Sequence, residues 1–321
     1  MEMLPFPDER YQLVCLTSEA ELPPLAFDLF LYLQPQHVRF QNGPFWRMYA
    51  LLQENRTVAL AHVFVENEKA FSPWRAPFGG LQFSPDLPGD VAKVLVYHLH
   101  QNLREQGVTQ VEWLQCPDVY SSKENMLVRQ TLLEIGYKTI YEQRNHHLQV
   151  SRAAFTELLH PSAKRRLQKC LRAGFTVQQE GIEQLPEAYQ LLQACRSEKQ
   201  KPLSLSFEQL NQYFQQFPEQ YQLFTVRCNG ELAAVGVTVQ INKRILNHLY
   251  PASPTSFNTY SPTILLTQGI YEYCRRKDIE LLDLGVSAPP LESEADYQGL
   301  FTFKERLGGI VTWKPTFLFM E

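Results

Sequence analysis

The stretches SPTILLTQGIYEYCRRKDIELLDLGVS (261–287) and LFTFKERLGG (300–309) decide the reading of this chain. The first reads as a helix, opened at Ser261-Pro262, followed by a buried apolar strand that ends on Asp283. After a loop, the second reads as a short helix closed by Gly308-Gly309. Before them lies a run of strands and tight turns. Leu223–Cys228 and Glu231–Gln240 flank Asn229-Gly230, a strong hairpin signal, and Ile245–Tyr250 follows the turn at Asn242-Lys243. Helical patterns cover 184–199 and 206–217, and AKRRLQKCLRAG (163–174) reads as a helix with Ser162 as N-cap and Gly174 just past its end. In that helix Ala163, Leu167, Cys170 and Leu171 share one face, and Arg165, Lys169 and Arg172 line another.

The same order occurs earlier in the chain. RMYALLQ (47–53), TVALAHVFV (57–65) and a strand starting at Ala70 are separated by turns at Asn55 and Asn67. A helix over 89–106, a strand at Val111–Leu114 and a helix over 123–135 closed by Gly136 follow. Asn55 and Asn229 are 174 residues apart, and Gly136 and Gly308 are 172 apart. Five such landmarks recur in the same order, which implies internal duplication. The expected domains are 1–152 and 153–321.

The totals exclude several classes. With 321 residues, 44% hydrophobic and 20% charged, the chain is expected to be a globular protein with room for two domains. A net charge of −4 gives no reason to expect DNA or an anionic membrane as partner. The first 150 residues hold 12 Lys+Arg against 17 Asp+Glu and the remainder 18 against 17, so an anionic ligand suits the second half better. MEMLPFPDER has no basic, apolar signal-peptide pattern, no stretch is apolar enough to span a membrane, and the cysteines lack metal or disulfide spacing. The expectation is a cytoplasmic protein with reduced thiols and no metal.

Each half, then, runs helices, a three-strand antiparallel meander, helix, strand, helix, strand. That order resembles the acyl-CoA N-acyltransferase fold of the GNAT superfamily. Two copies in one chain resemble the FemAB-like aminoacyl/acyltransferases and their bacterial GNAT-type relatives. The residues that carry the likeness are AKRRLQKCLRAGFTV (163–177), the block 229–250, SPTILL (261–266), LLDLG (281–285), FKERLGG (303–309) and, in the first half, EIGY (134–137). The resemblance implies an α+β protein of two GNAT-like domains in tandem, each a mixed, mostly antiparallel sheet flanked by helices. It implies an N-acyltransferase in which an amine attacks acyl-CoA, the co-substrate, directly in a ternary complex. Transfer of an aminoacyl group from aminoacyl-tRNA, or a fold that binds ligand without catalysis, are the alternatives. One departure bears on the donor: the Gly-rich phosphate turn of many GNAT domains is absent after both Tyr250 and Phe71.

The resemblance places the chemistry in the second half. Asp283, acidic in an apolar strand, orients or deprotonates the nucleophile, pairs with Lys304 or Arg306, or serves as a structural acceptor for loop N–H groups. Lys304 faces the expected cleft, where it would hold an anionic group or stabilise negative charge, or is a solvated helix lysine. His248, on the neighbouring strand, reads as a core residue or as a base that would suit neutral pH. Tyr250, Ser261 and Thr263 are the candidate donor-binding residues, the last two at a helix start that a plain N-cap with Pro at N1 explains as well. For the acceptor, a small-molecule or peptide amine, the candidates are Trp74, Arg75 and Phe78 of WRAPFGG, a stretch that a tight turn explains equally well. Arg165 and Lys169 complete the set; a solvated basic helix face accounts for them too, and no RNA motif accompanies them.

Overall fold

The turn residues Asn55, Asn67 and Asn229 all take left-handed backbone angles, with φ of 60°, 54° and 51°. Tight hairpins need that conformation, and asparagine tolerates it better than most residues. The computed structural model describes residues 2–4, 6–17, 22–198, 200–288 and 292–321. In chain order, the first half runs β1 (Glu2–Leu4), β2 (Gln12–Leu16), α1 (Pro35–Phe40), β3 (Phe45–Gln53), β4 (Arg56–Glu66), β5 (Lys69–Ser72), β6 (Gly80–Phe83), α2 (Gly89–Glu105), β7 (Gln110–Leu114), α3 (Ser122–Ile135) and β8 (Lys138–Gln149). The second half continues with α4 (Phe155–Leu158), α5 (Pro161–Arg172), β9 (Thr176–Glu180), α6 (Leu185–Glu198), α7 (Phe207–Gln216), β10 (Tyr221–Cys228), β11 (Glu231–Asn242), β12 (Ile245–Ala252), α8 (Pro262–Arg276), β13 (Leu281–Val286), α9 (Gln298–Arg306) and β14 (Ile310–Met320).

The chain divides into two units, Met1–Arg144 with Thr312–Glu321, and Asn145–Val311. This differs from the expected 1–152 and 153–321 in a specific way. β8 starts in the first unit, yet its end is antiparallel to β13, with Leu281 opposite Gln149 and Asp283 opposite His147. β14 leaves the second unit at Val311 and pairs antiparallel with β7, Thr316 opposite Leu114 and Phe319 opposite Val111. Each half lends its closing strand to the sheet of the other. Hydrophobic pattern says that a segment is a strand, not which edge it joins, so the exchange is invisible in sequence.

In the first unit β2, β3 and β4 form an antiparallel meander. β5 continues it on β4 and runs parallel to β7. α2 and α3 bury Leu95, Leu99, Leu103, Val128 and Leu132 against Leu51, Ala59 and Val111 of the sheet. In the second unit β9, β10, β11 and β12 are antiparallel neighbours, and β12 is parallel to β13. α8 lays Ile264, Leu265, Ile270 and Tyr271 on Phe224, Leu246 and Leu282. Each large apolar side chain removed from water there contributes roughly 1.5–3 kcal/mol. The strand expected to end at Asp283 runs on to Val286, and the helix expected to be capped by Ser162 starts at Pro161, with His160 as its N-cap. Gly136, Gly174 and Gly308 close α3, α5 and α9 with φ of 112°, 82° and 89°.

Candidate functional site

The parallel ladder between β12 and β13 is short: Ile245–Leu281, Leu246–Leu282 and Asn247–Asp283. Beyond Asn247 and Asp283 the two strands part. On β12, His248 lies opposite Thr238 and Tyr250 opposite Val237, so Leu249 is an extra residue, a bulge that bends the strand. On β13, the register against β8 also slips between Asp283 and Val286, and Gly285 takes a φ of 74°. Two irregularities on neighbouring strands make a fork at the carboxyl ends of a parallel pair, where open sheets of this kind bind their ligands.

Asp283, 2% exposed, stands where the fork begins. Its Oδ1 accepts from Asn145 Nδ2 at 2.7 Å and from the Gly285 main-chain N–H at 2.8 Å, and its Oδ2 accepts from Asn247 Nδ2 at 3.0 Å. A buried carboxylate is tolerated only with such donors. Asn145, Asn247 and Asp283 lie on β8, β12 and β13, so this carboxylate braces three strands at the fork. Of the readings open to it in sequence, these three hydrogen bonds match the structural acceptor.

Lys304 reaches the fork from α9. Its Nζ donates to the main-chain carbonyls of Gly285 at 2.7 Å and Val286 at 3.1 Å. Burial pushes its pKa down to about 8, against the opposing pull of the Asp283 carboxylate. An ammonium has three donors, and these carbonyls engage two of them. His248 is also buried, and its Nε2 has no hydrogen-bond partner. Burial, reinforced by the charge of Lys304, pushes its pKa down to about 3. Of its two readings, a core residue or a base near neutral pH, the burial matches the first, and the ring stays neutral. The ring packs over Gly236 of β11, where a Cβ would come within 2.6 Å of His248 Nε2.

A cavity of about 370 Å³ opens at the start of α8. Ser162 and Arg166 of α5, Ser261 at the start of α8, and Gln298, Thr302 and Arg306 of α9 line it. First-turn residues of α5, α8 and α9 thus meet in one cavity, and the free N–H groups of a helix start favour anions. Two guanidinium groups add positive charge. Ser261 holds a left-handed φ of 53°, and its Oγ accepts from Arg166 Nη1 at 2.8 Å. The sequence names Arg306 only as a possible partner of Asp283, and Arg166 not at all. The signal for Arg166 existed: it lies three residues after Ala163 and four before Cys170, a charge on the helix's own apolar face.

The remaining candidates are elsewhere. Tyr250 is buried, and its hydroxyl is hydrogen-bonded to Ser204. Thr263 stands in the first turn of α8, where its carbonyl accepts from Thr267. Arg165 is exposed on α5, and Lys169 lies over the Tyr260 ring at 5.0 Å; neither lines the cavity. Trp74, Arg75 and Phe78 belong to the first unit. There β5 and β6 occupy one lane along β4, interrupted by residues 73–79. Phe78 is 2% exposed and meets Phe30, Tyr32 and Tyr120 edge-on, with ring centroids 5.7, 5.0 and 5.6 Å away. Gly79 N–H donates to the carbonyl of Leu114 at 2.9 Å, and Trp113 lies against Gly80. Here the loop and its aromatics pack beside β7. Phe78 is core, which removes it as a pocket wall. Trp74 is half-buried beside Phe64 and Phe71, and Arg75 is exposed.

Among the described residues no cluster of His, Cys, Asp and Glu is arranged to hold a metal, and no helix is long and apolar enough to cross a membrane. The acetyltransferase (GNAT) domain model matches residues 136–299, just over half of the chain. No curated protein matches by sequence. Among solved structures, FemX is similar with a TM-score of 0.70 and 13% identity, over 91% of this chain and 92% of that one. L-PGS from Bacillus licheniformis is similar with a TM-score of 0.57 and 14% identity, over 90% and 92%. At those identities the likeness speaks for the fold. Together, the family match, the meander and the fork between β12 and β13 lead to one conclusion: the chain belongs to the acetyltransferase (GNAT) family, an N-acyltransferase with two GNAT-like units in tandem.

Proposed function

We propose that the second unit transfers an acyl group from acyl-CoA to the amine of a small molecule or peptide, by direct attack at the fork between β12 and β13. The observation that carries this reading is the fork at Asn247 and Asp283 with the Lys304 ammonium beside it. The amine lone pair forms the new C–N bond, the C–S bond of the thioester breaks, and the proton lost by the amine ends on the departing thiolate. Negative charge develops on the carbonyl oxygen during attack. The third N–H of Lys304 is available to that oxygen, and a donor held in place beforehand is the largest single contribution such a site makes. Asp283 braces the fork, and the fork orients the two reactants.

The cavity at the start of α8 fits the donor's phosphates. The family's Gly-rich turn is missing, and Ser261 with its left-handed backbone, Arg166 and Arg306 stand in its place. The test is thermal shift and calorimetry on the full chain with acetyl-CoA, longer acyl-CoAs and CoA alone. Saturable stabilisation that Arg166→Ala weakens is expected. A shift with none of the CoA species would overturn the acyl-CoA donor.

A further inference from the structure

The far end of α8 carries a second cavity, of about 480 Å³, which acyl transfer does not use. α8 is 15 residues long, so its two ends are about 20 Å apart at 1.5 Å per residue. Val150 and Ile279 give this cavity an apolar part. Its charged lining is Arg152, Arg275 and Arg276 with Glu272, Asp278 and Glu280.

Half of those charges are already engaged. Arg275 donates through Nη1 to Glu272 at 2.8 Å and through Nη2 to the main-chain carbonyl of Arg152 at 2.9 Å. Glu280 accepts from Arg244, which stands outside the cavity lining, at 3.0 Å. What remains is the guanidinium of Arg152, that of Arg276 and the carboxylate of Asp278. None of the three is in an ion pair or a side-chain hydrogen bond among the described residues. Asp278 sits at a φ of 53° in the turn leaving α8, just past the helix end whose dipole is negative. An ammonium is favoured at that place, and a guanidinium grips a carboxylate through two parallel N–H···O bonds.

We propose that this cavity binds an amino acid with two acid groups. Its carboxylates face Arg152 and Arg276, its ammonium faces Asp278, and its methylene groups lie over Val150 and Ile279. A simple anion would leave Asp278 opposing it, and a simple amine would meet two arginines; only a ligand with both signs, and two negatives to one positive, matches all three groups. The volume suits a small molecule of this size. The site is independent of the acyl donor, and its occupancy is read with no donor present.

The test is calorimetry on the full chain with L-glutamate and L-aspartate, against glutarate, L-lysine and sulfate. Saturable binding of the two acidic amino acids is expected, with glutarate roughly tenfold weaker and L-lysine silent. Arg152→Gln and Arg276→Gln each weaken glutamate by about tenfold. Asp278→Asn brings glutamate down to the level of glutarate. All three side chains are exposed, so the variants keep the fold, which circular dichroism checks. Absence of saturable glutamate or aspartate binding overturns the proposal, as does binding unaffected by all three substitutions or matched by sulfate.

Discussion

Asn247 and Asp283 are the last partners of the parallel ladder between β12 and β13, and the amide of one donates to the carboxylate of the other at 3.0 Å. The pair sits where the strands part, and the same carboxylate holds Asn145 of β8 at 2.7 Å. The energy stored in this knot is structural. Asp283→Ala leaves buried donors without an acceptor and is expected to cost about 3 kcal/mol, and Asn247→Ala about 1–2 kcal/mol. A double-mutant cycle read by urea denaturation is expected to give a coupling of about 1 kcal/mol. A fall in kcat with no change in urea midpoint for Asp283→Ala would instead make Asp283 a participant in the chemistry.

Lys304, with its pKa pushed down to about 8, yields two pH dependences of opposite sign. If the proposed role of the ammonium holds, kcat is expected to decline as pH rises through about 8. Stability follows the proton count: between about 8 and the ordinary value of 10.5, the unfolded lysine holds a proton that the folded one has lost. The unfolded state then binds more protons, so stability rises with pH across that window, by up to about 3 kcal/mol. Lys304→Met removes both trends. It is expected to lower kcat by about a hundredfold while the donor KM changes little. A variant that keeps its alkaline decline in kcat would remove Lys304 from the reaction.

Much of this was legible in sequence because local chemistry decided it. Asn229-Gly230 could only be a tight turn, with φ of 51° and 84°. Gly136 and Gly174 could only follow helix ends. The fork itself was not legible. It depends on a one-residue bulge at Leu249 and a slip after Asp283, both of which are differences of register rather than of residue type. WRAPFGG left Phe78 open between a pocket wall and the plug of a tight turn; what decides for the plug, Phe30 and Tyr120, comes from distant parts of the chain. The exchange of β8 and β14 escaped for the same reason.

Gly236 and His248 are fitted to each other. A methyl group at Gly236 would come within 2.6 Å of His248 Nε2 and 3.2 Å of Leu266 Cδ2. Gly236→Ala is therefore expected to cost about 1–3 kcal/mol, the usual price of overpacking a buried site. His248→Ala vacates that space, so the same glycine substitution in the His248→Ala background is expected to cost under about half as much. Thermal denaturation of the four proteins measures this. Equal costs in both backgrounds would mean that Leu266, or the strand itself, sets the limit.

Arg166 and Arg306 supply the charge in the cavity proposed for the donor, where the family's glycine turn is missing. Charge held by side chains differs from charge held by main-chain N–H groups in one measurable respect: it can be deleted without moving the backbone. Arg166→Ala and Arg306→Ala are each expected to raise the donor KM by about tenfold, with kcat within about twofold. Arg166 is hydrogen-bonded to Ser261, whereas Arg165 on the same helix faces solvent. Arg165→Ala should therefore leave KM unchanged, and it serves as the control for general loss of positive charge. Raising salt from 50 to 500 mM is expected to weaken donor binding to the wild type more than to the double variant, since screening acts on the charges that remain. Equal effects of Arg165→Ala and Arg166→Ala on KM would place the attraction in the overall charge of α5 rather than in this cavity.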